Sequence, residues 1–211
     1  MKKQQTTTHK YKDKQYKNNN KNNKKRKFEE YAYILDYLEY GYPEDNRPMY
    51  MKKPIAQAFG EKQFVLMELS VKEGNPLELA ERVYIGKGKR DKIDHVSRML
   101  KYDDLTPTAK TELLYVIKES VKRNEKKFVD FINTCPSITP RLHTLQLLPG
   151  IGKALMWKII EEREFKPFES FEDIEKRIHR NIIDSIAKRI EDELKSPQKY
   201  YLFVKWKSQQ H

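Results

Sequence analysis

A chain of 211 residues with 37% hydrophobic residues and a net charge of +12 holds one or two domains with small cores. No apolar run approaches the roughly 20 residues of a membrane span, and no apolar stretch near the N-terminus resembles a secretory signal. The single cysteine, Cys135, excludes an internal disulfide and a cysteine metal cluster, and a reducing cytoplasm is the expected setting.

The charge is unevenly spread. Residues 1–27 carry eleven basic residues and one acid (Asp13) among Lys, Asn, Gln and Thr. This segment buries too little to offset its ordering entropy and is expected to be disordered in isolation. It reads either as a polycation that neutralises phosphates or as a solubilising tail enlarged by AT-rich codons. Residues 195–211 add four lysines and no acid, which leaves residues 28–194 slightly acidic. Any nucleic-acid contact by the folded part must therefore come from local patches.

Residues 28–104 read as a small β-barrel, OB-like or Sm-like, with an antiparallel sheet covered by helices as the alternative. Tyr31, Tyr33, Leu35 and Tyr37 alternate along a first strand. Ile55–Phe59, Phe64–Val71 and Arg82–Ile85 follow, separated by turns rich in Gly, Pro, Asn and Asp. Asp91–Leu100 reads as a short helix with Ile93, Val96 and Leu100 on one face. Residues 105–136 form a helical connector: one helix starts at Leu105-Thr106-Pro107, and another carries Phe128, Val129, Phe131 and Ile132 before Cys135-Pro136. Residues 137–194 read as an all-α helix-hairpin-helix domain, giving an α+β protein overall. Thr139-Pro140 is a helix start for Leu142, Leu145 and Leu148. Helices over 171–178 and 182–194 make a degenerate second pair, joined through His179-Arg180-Asn181. Residues 195–211 are a C-terminal strand and tail, in which Tyr200–Trp206 returns to the barrel.

Leu148-Pro149-Gly150-Ile151-Gly152-Lys153 carries the most chemistry. Pro149 ends one helix, and Gly150 and Gly152 permit a tight hairpin. The next helix then opens with bare N–H groups and a partial positive charge, where a phosphate oxygen fits. Ile151 is expected to plug the seam, Lys153 to add charge, and Arg180 to compensate for the lost glycines of the second hairpin. A plain helical corner is the alternative. Gly86–Lys92 is a second candidate, with Lys87, Lys89, Arg90 and Lys92 on a loop that also contains Gly88. Its spacing fits neither a P-loop nor a dinucleotide fingerprint; it reads as a phosphate contact or as a solvated loop tip. Tyr31, Tyr33, Tyr37, Tyr40, Tyr42 and Tyr50 read as core or barrel rim, with base stacking as the alternative.

Catalysis finds little support. The five histidines lack metal-ligand spacing, and no nucleophile elbow occurs; His95 and His143 read as helix-surface or interface residues. Some DNA glycosylases share such a hairpin, but Asp173 is explained as part of a capping box with Ser170, and the position of their lysine falls on Ala154.

Four segments together resemble the archaeal DUF655 family: Glu30–Tyr37, Pro54–Gly60, Arg82–Gly88 and the Leu-Pro-Gly-Ile-Gly hairpin, within a likeness covering residues 28–204. The resemblance implies an OB-like barrel joined to a helix-hairpin-helix unit. It also implies a gene neighbourhood of ribosomal-protein, RNA-polymerase and rRNA-methyltransferase genes. The expectation is a non-enzymatic cytoplasmic protein that binds RNA, rRNA included. A DNA repair accessory and a protein-docking module are the rival readings. No cofactor or membrane partner is expected; a monovalent cation at the hairpin carbonyls is compatible with the motif.

Overall fold

The computed structural model describes residues 29–204; the basic tail of residues 1–27 and the Lys205-Trp206 end of the expected last strand lie outside the described residues. Five antiparallel strands form one curled sheet: β1 (Tyr31–Leu38), β2 (Ile55–Gly60), β3 (Leu66–Val71), β4 (Arg82–Tyr84) and β5 (Ile93–Leu100). Their order is β4-β1-β2-β3-β5, so β4 and β5 are the two edges of a half-barrel. Five helices follow: α1 (Pro107–Arg123), α2 (Glu125–Thr134), α3 (Lys153–Phe165), α4 (Phe171–Ile178) and α5 (Ile182–Lys195). The protein is thus a mixed α+β fold. Among the described residues, no helix is long and apolar enough to cross a membrane.

Both faces of the central strands β1–β3 are largely buried, which explains their dense apolar runs, whereas most of edge strand β5 is exposed. On the inner face, Ala32, Ile34, Ala56, Ala58, Met67 and Leu69 form one core with Val83, Ile85 and Ile93. On the outer face, Tyr33, Leu35, Phe59, Phe64 and Leu66 join the core of the helices. Alternate residues of β1 serve the two cores, and a register shift occurs between Ile34 and Asp36. The shift moves Tyr37 to the inner core, away from the face it would share with Tyr33 under strict alternation.

The start of α1 is pinned to the sheet. Thr106 Oγ1 accepts from the Ala109 N–H at 3.1 Å and donates to Asp36 at 2.6 Å, while Gln57 Oε1 accepts from the Thr106 N–H at 2.9 Å. Such bonds allow Gln57, wholly buried in β2, to stay in an apolar setting. Between sheet and helices, Phe59, Phe64, Phe128 and Phe203 form a chain of rings with centroids 5.4–5.9 Å apart.

Three expectations are corrected. Asp91–Leu100 is not a helix but contains β5. A register irregularity against β3 puts Ile93 and Val96 on one face three residues apart, while Leu100 joins the helical core, and this spacing imitates helical periodicity. Thr139-Pro140 does not start a helix. Ser137–Thr139 (β6) pairs antiparallel with Leu142–His143 (β7), and only a single 3-10 turn, Thr144–Leu147, follows. The three-residue spacing of Leu142, Leu145 and Leu148 suits that tighter turn. Finally, Tyr200–Val204 is not a strand. The Glu193 carboxylate accepts from the backbone N–H groups of Leu202, Phe203 and Val204 at 2.7–3.0 Å, holding the segment against α5.

Candidate nucleic-acid interface

The hairpin before α3 is built from consecutive tight turns: Leu148 N–H donates to Leu145, and Ile151 N–H to Leu148, both at 3.1 Å. Gly150 then takes φ +83°, a left-handed conformation costly for any residue with a β-carbon. Ile151 is buried with Leu148, Met156 and Ile186 in the helical core, as expected of the plug.

Gly152 is the N-cap of α3, in extended conformation with φ −80°. Having no side chain, it cannot cap the helix. Three other starts are closed, with Thr106 capping α1, Ser170 α4 and Asn181 α5, whereas Asn124 at the start of α2 makes no capping side-chain bond. At α3, Gly152, Lys153 and Ala154 are exposed, so the first N–H groups face solvent at the positive end of the helix dipole.

The second hairpin faces the first. His179 ends α4 in the left-handed conformation, φ 56°. Arg180 next to it extends over the first hairpin, with Nη2 2.9 Å from where a β-carbon on Gly150 would lie. Lys153 and Arg180 have no ionic partner among the described residues. By contrast, Arg177 pairs with Glu162 at 3.0 Å and with Asp173 at 3.3 Å. The structure thus brings Gly150, Ile151, Gly152, Lys153 and Arg180 together. The turn at Asn181 is itself filled, because Asn181 Oδ1 accepts from the N–H groups of Ile183 and Asp184.

The Gly86–Lys92 loop joins β4 to β5 in the sheet. Arg90 and Lys92 are held by neighbouring groups. Arg90 donates to the carbonyls of Gly86 and Asp94, both at 2.8 Å, and Lys92 pairs with Glu81 at 2.6 Å. Lys87, Gly88 and Lys89 are exposed. The glycines fit the chain around the Tyr84 ring: a β-carbon on Gly86 would lie 2.4 Å from the tyrosine oxygen, and Gly88 N–H donates to that oxygen at 3.1 Å.

The tyrosines do not form one platform. Tyr33 is buried and bonded to Arg123, Tyr42 donates to Glu68, and Tyr31 lies beneath the Arg82 guanidinium, while Tyr40 and Tyr50 are exposed. Among the described residues, no group of His, Cys, Asp and Glu is placed to hold a metal ion.

Beside the hairpin lies a cleft of about 640 Å³ between β6–β7 and α3. Its walls include Arg141, His143, Gln146, Lys153 and Trp157. His143 is buried; its Nδ1 accepts from the Leu145 N–H at 3.1 Å, and Gln146 Oε1 accepts from the His143 N–H at 2.9 Å. Burial, and secondly the Arg163 charge, push the imidazole pKa below its ordinary value. His143 therefore belongs to a capped turn and not to a helix surface. The helix expected from Thr139-Pro140 through Leu148 would leave no such cleft, which depends on the pairing of β6 with β7.

The family model described as a protein of unknown function (DUF655) matches residues 28–205. The uncharacterized protein MJ0038 of Methanocaldococcus jannaschii is 63% identical over 186 residues, covering 87% of this chain and 83% of its own length. The crystal structure of Af1531 from Archaeoglobus fulgidus, a protein of the same family, is similar at a TM-score of 0.79 and 52% identity. It covers 84% of this chain, which spans 100% of that structure.

Proposed function

The chain belongs to the DUF655 family, and we propose that it is a non-enzymatic RNA-binding protein that holds the phosphate backbone at the open start of α3. In this reading the half-barrel is OB-like. The segment from Thr144 to Phe165 acts as a shortened helix-hairpin-helix, with a 3-10 turn in place of its first helix. The observation that carries the proposal is the pairing of an uncapped, exposed helix N-terminus with the Arg180 side chain reaching over Gly150 from a different hairpin. Exposed backbone N–H groups with a guanidinium on the adjoining hairpin suit a phosphate oxygen.

Lys87 and Lys89 offer a second backbone contact, and the eleven basic residues of the tail add attraction without sequence information. Several weak contacts are needed together, because nonspecific binding is typically only about 10⁻⁴–10⁻⁶ M at physiological salt. A DNA-binding accessory role is the competing reading. Binding of the full chain to single-stranded RNA, structured RNA and duplex DNA, measured across salt concentrations, separates them. RNA binding that weakens with salt is expected, and Lys153→Glu and Arg180→Glu should each weaken it. Failure of all three polymers to bind at about 50 mM salt overturns the reading.

A further inference from the structure

The cleft between β6–β7 and α3 has features that a backbone grip does not use. Trp157 lines it with 57% of its surface exposed, so an indole face is open to a ligand. It stands one helical turn beyond Lys153, which lines the cleft and also belongs to the hairpin. Arg141 lies on the opposite wall, exposed and without an ionic partner among the described residues. Arg163, deeper in, is instead bound to the carbonyls of Ile132 and Cys135 at 2.8 and 3.1 Å.

Polar groups at the base of the cleft are held in place. Because His143 Nδ1 accepts a backbone N–H, the neutral ring carries its proton on Nε2, which has no hydrogen-bond partner among the described residues. His143 as a whole is only 7% exposed, and the bond to Leu145 N–H holds its ring. Gln146 spends its carbonyl oxygen on the His143 N–H, which leaves its NH₂ group as a donor. The cleft thus combines an exposed indole, two unpaired cations and fixed donors, in a volume typical of small-molecule sites, roughly 300–1,000 Å³.

We propose that this cleft receives one unpaired base of the bound RNA, stacked on Trp157, with its carbonyl oxygens facing the donors of His143 and Gln146 and the adjoining phosphates between Arg141 and Lys153. The inference rests on the RNA-binding reading and adds a preference for unpaired over duplex RNA. In a duplex both faces of each base are already stacked, so no base can enter without being extruded. The mixed lining favours a charged, planar ligand over an apolar peptide, for which two unpaired cations and buried donors would be a desolvation cost.

The test uses the full chain carrying Trp206→Phe, which leaves Trp157 as the sole tryptophan. A short oligouridylate is the probe, since its bases offer carbonyl oxygens and stack weakly on one another. Anisotropy of a labelled probe reports binding, and tryptophan fluorescence reports stacking. The expected result is binding accompanied by quenching, with little quenching by duplex RNA. Trp157→Ala should weaken binding roughly 5- to 150-fold, the range of a lost base–aromatic stack. Trp157→Phe should restore part of it, and unchanged thermal unfolding of both variants ties the effect to the ligand. Binding without quenching, and unaffected by Trp157→Ala, overturns the inference and leaves the backbone grip standing. Equal quenching by duplex RNA also overturns it. No binding of either probe overturns the inference and the RNA-binding reading together.

Discussion

Replacing Gly152 by Asp should raise stability and lower RNA affinity at the same time. The position is already in the extended conformation of an N-cap, and a β-carbon there would meet nothing within 4 Å. The aspartate therefore enters without strain and bonds to the free N–H groups of the first turn. Its capping bond is worth a few tenths of a kcal/mol over glycine. The negative charge at the helix dipole adds about 0.3–1 kcal/mol, and the stiffer unfolded chain about 0.4–1 kcal/mol. Together these give roughly 1–2 kcal/mol, or about 2–8 °C in Tm for a protein of this size. The same carboxylate occupies and repels the place of the phosphate. Losing a charge-assisted contact of about 1.5–3 kcal/mol corresponds to roughly 10- to 150-fold in affinity. Calorimetry and RNA titration at fixed salt read the two effects, with Gly152→Ala as the control that leaves the N–H groups open. A stabilised Gly152→Asp protein that binds RNA as well as the parent refutes the grip at α3.

Gly150→Ala should destabilise the hairpin by about 1–2 kcal/mol, because φ +83° is unfavourable for alanine, and should displace Arg180; an unchanged Tm would contradict the assigned conformation. Glu193→Ala should cost about 3–5 kcal/mol, since it strands buried Arg189 and three backbone N–H groups, with chemical denaturation as the measurement. Glu29 gives a pH signature. Burial raises its pKa, although the Lys62 and Gln63 N–H groups partly oppose this. Its folded pKa then lies above its unfolded one, so its contribution to stability is full below the unfolded value and is lost as pH rises through the folded value. Relative to Glu29→Gln, the parent should lose stability as pH rises from about 4 and level off above the raised pKa; the opposite slope would contradict the account.

Much of the architecture is legible where local chemistry and tertiary packing agree. Thr106-Pro107 and Ser170 announce α1 and α4 because cap and apolar face coincide there. β2 is readable because Gly60 ends it and both of its faces are apolar. The failures have specific causes. The irregularity near Ile93 in β5 replaces period two by a same-face spacing of three. Pro140 fits a β-turn as well as a helix start, and the pairing of β6 with β7 decides between them. The C-terminal segment is positioned by Glu193, a distant partner that no local pattern indicates.

The candidate site was legible in part for the same reason. Gly150, Ile151, Gly152 and Lys153 are adjacent in the chain, so the motif displays itself. That Arg180 serves the neighbouring hairpin instead of its own turn depends on how α3, α4 and α5 pack. The sequence likewise overstates the Gly86–Lys92 loop, because counting cations cannot reveal that Arg90 is bound to the Gly86 and Asp94 carbonyls and Lys92 to Glu81.

The most direct measurement of the central claim is an amide NMR titration of the isotopically labelled full chain with single-stranded RNA at about 50 mM salt. The account predicts that the amides of Gly152, Lys153 and Ala154, with the Arg180 side chain, shift most strongly and together. Binding that moves only the Gly86–Lys92 loop, or leaves the α3 amides unchanged at saturation, would contradict it.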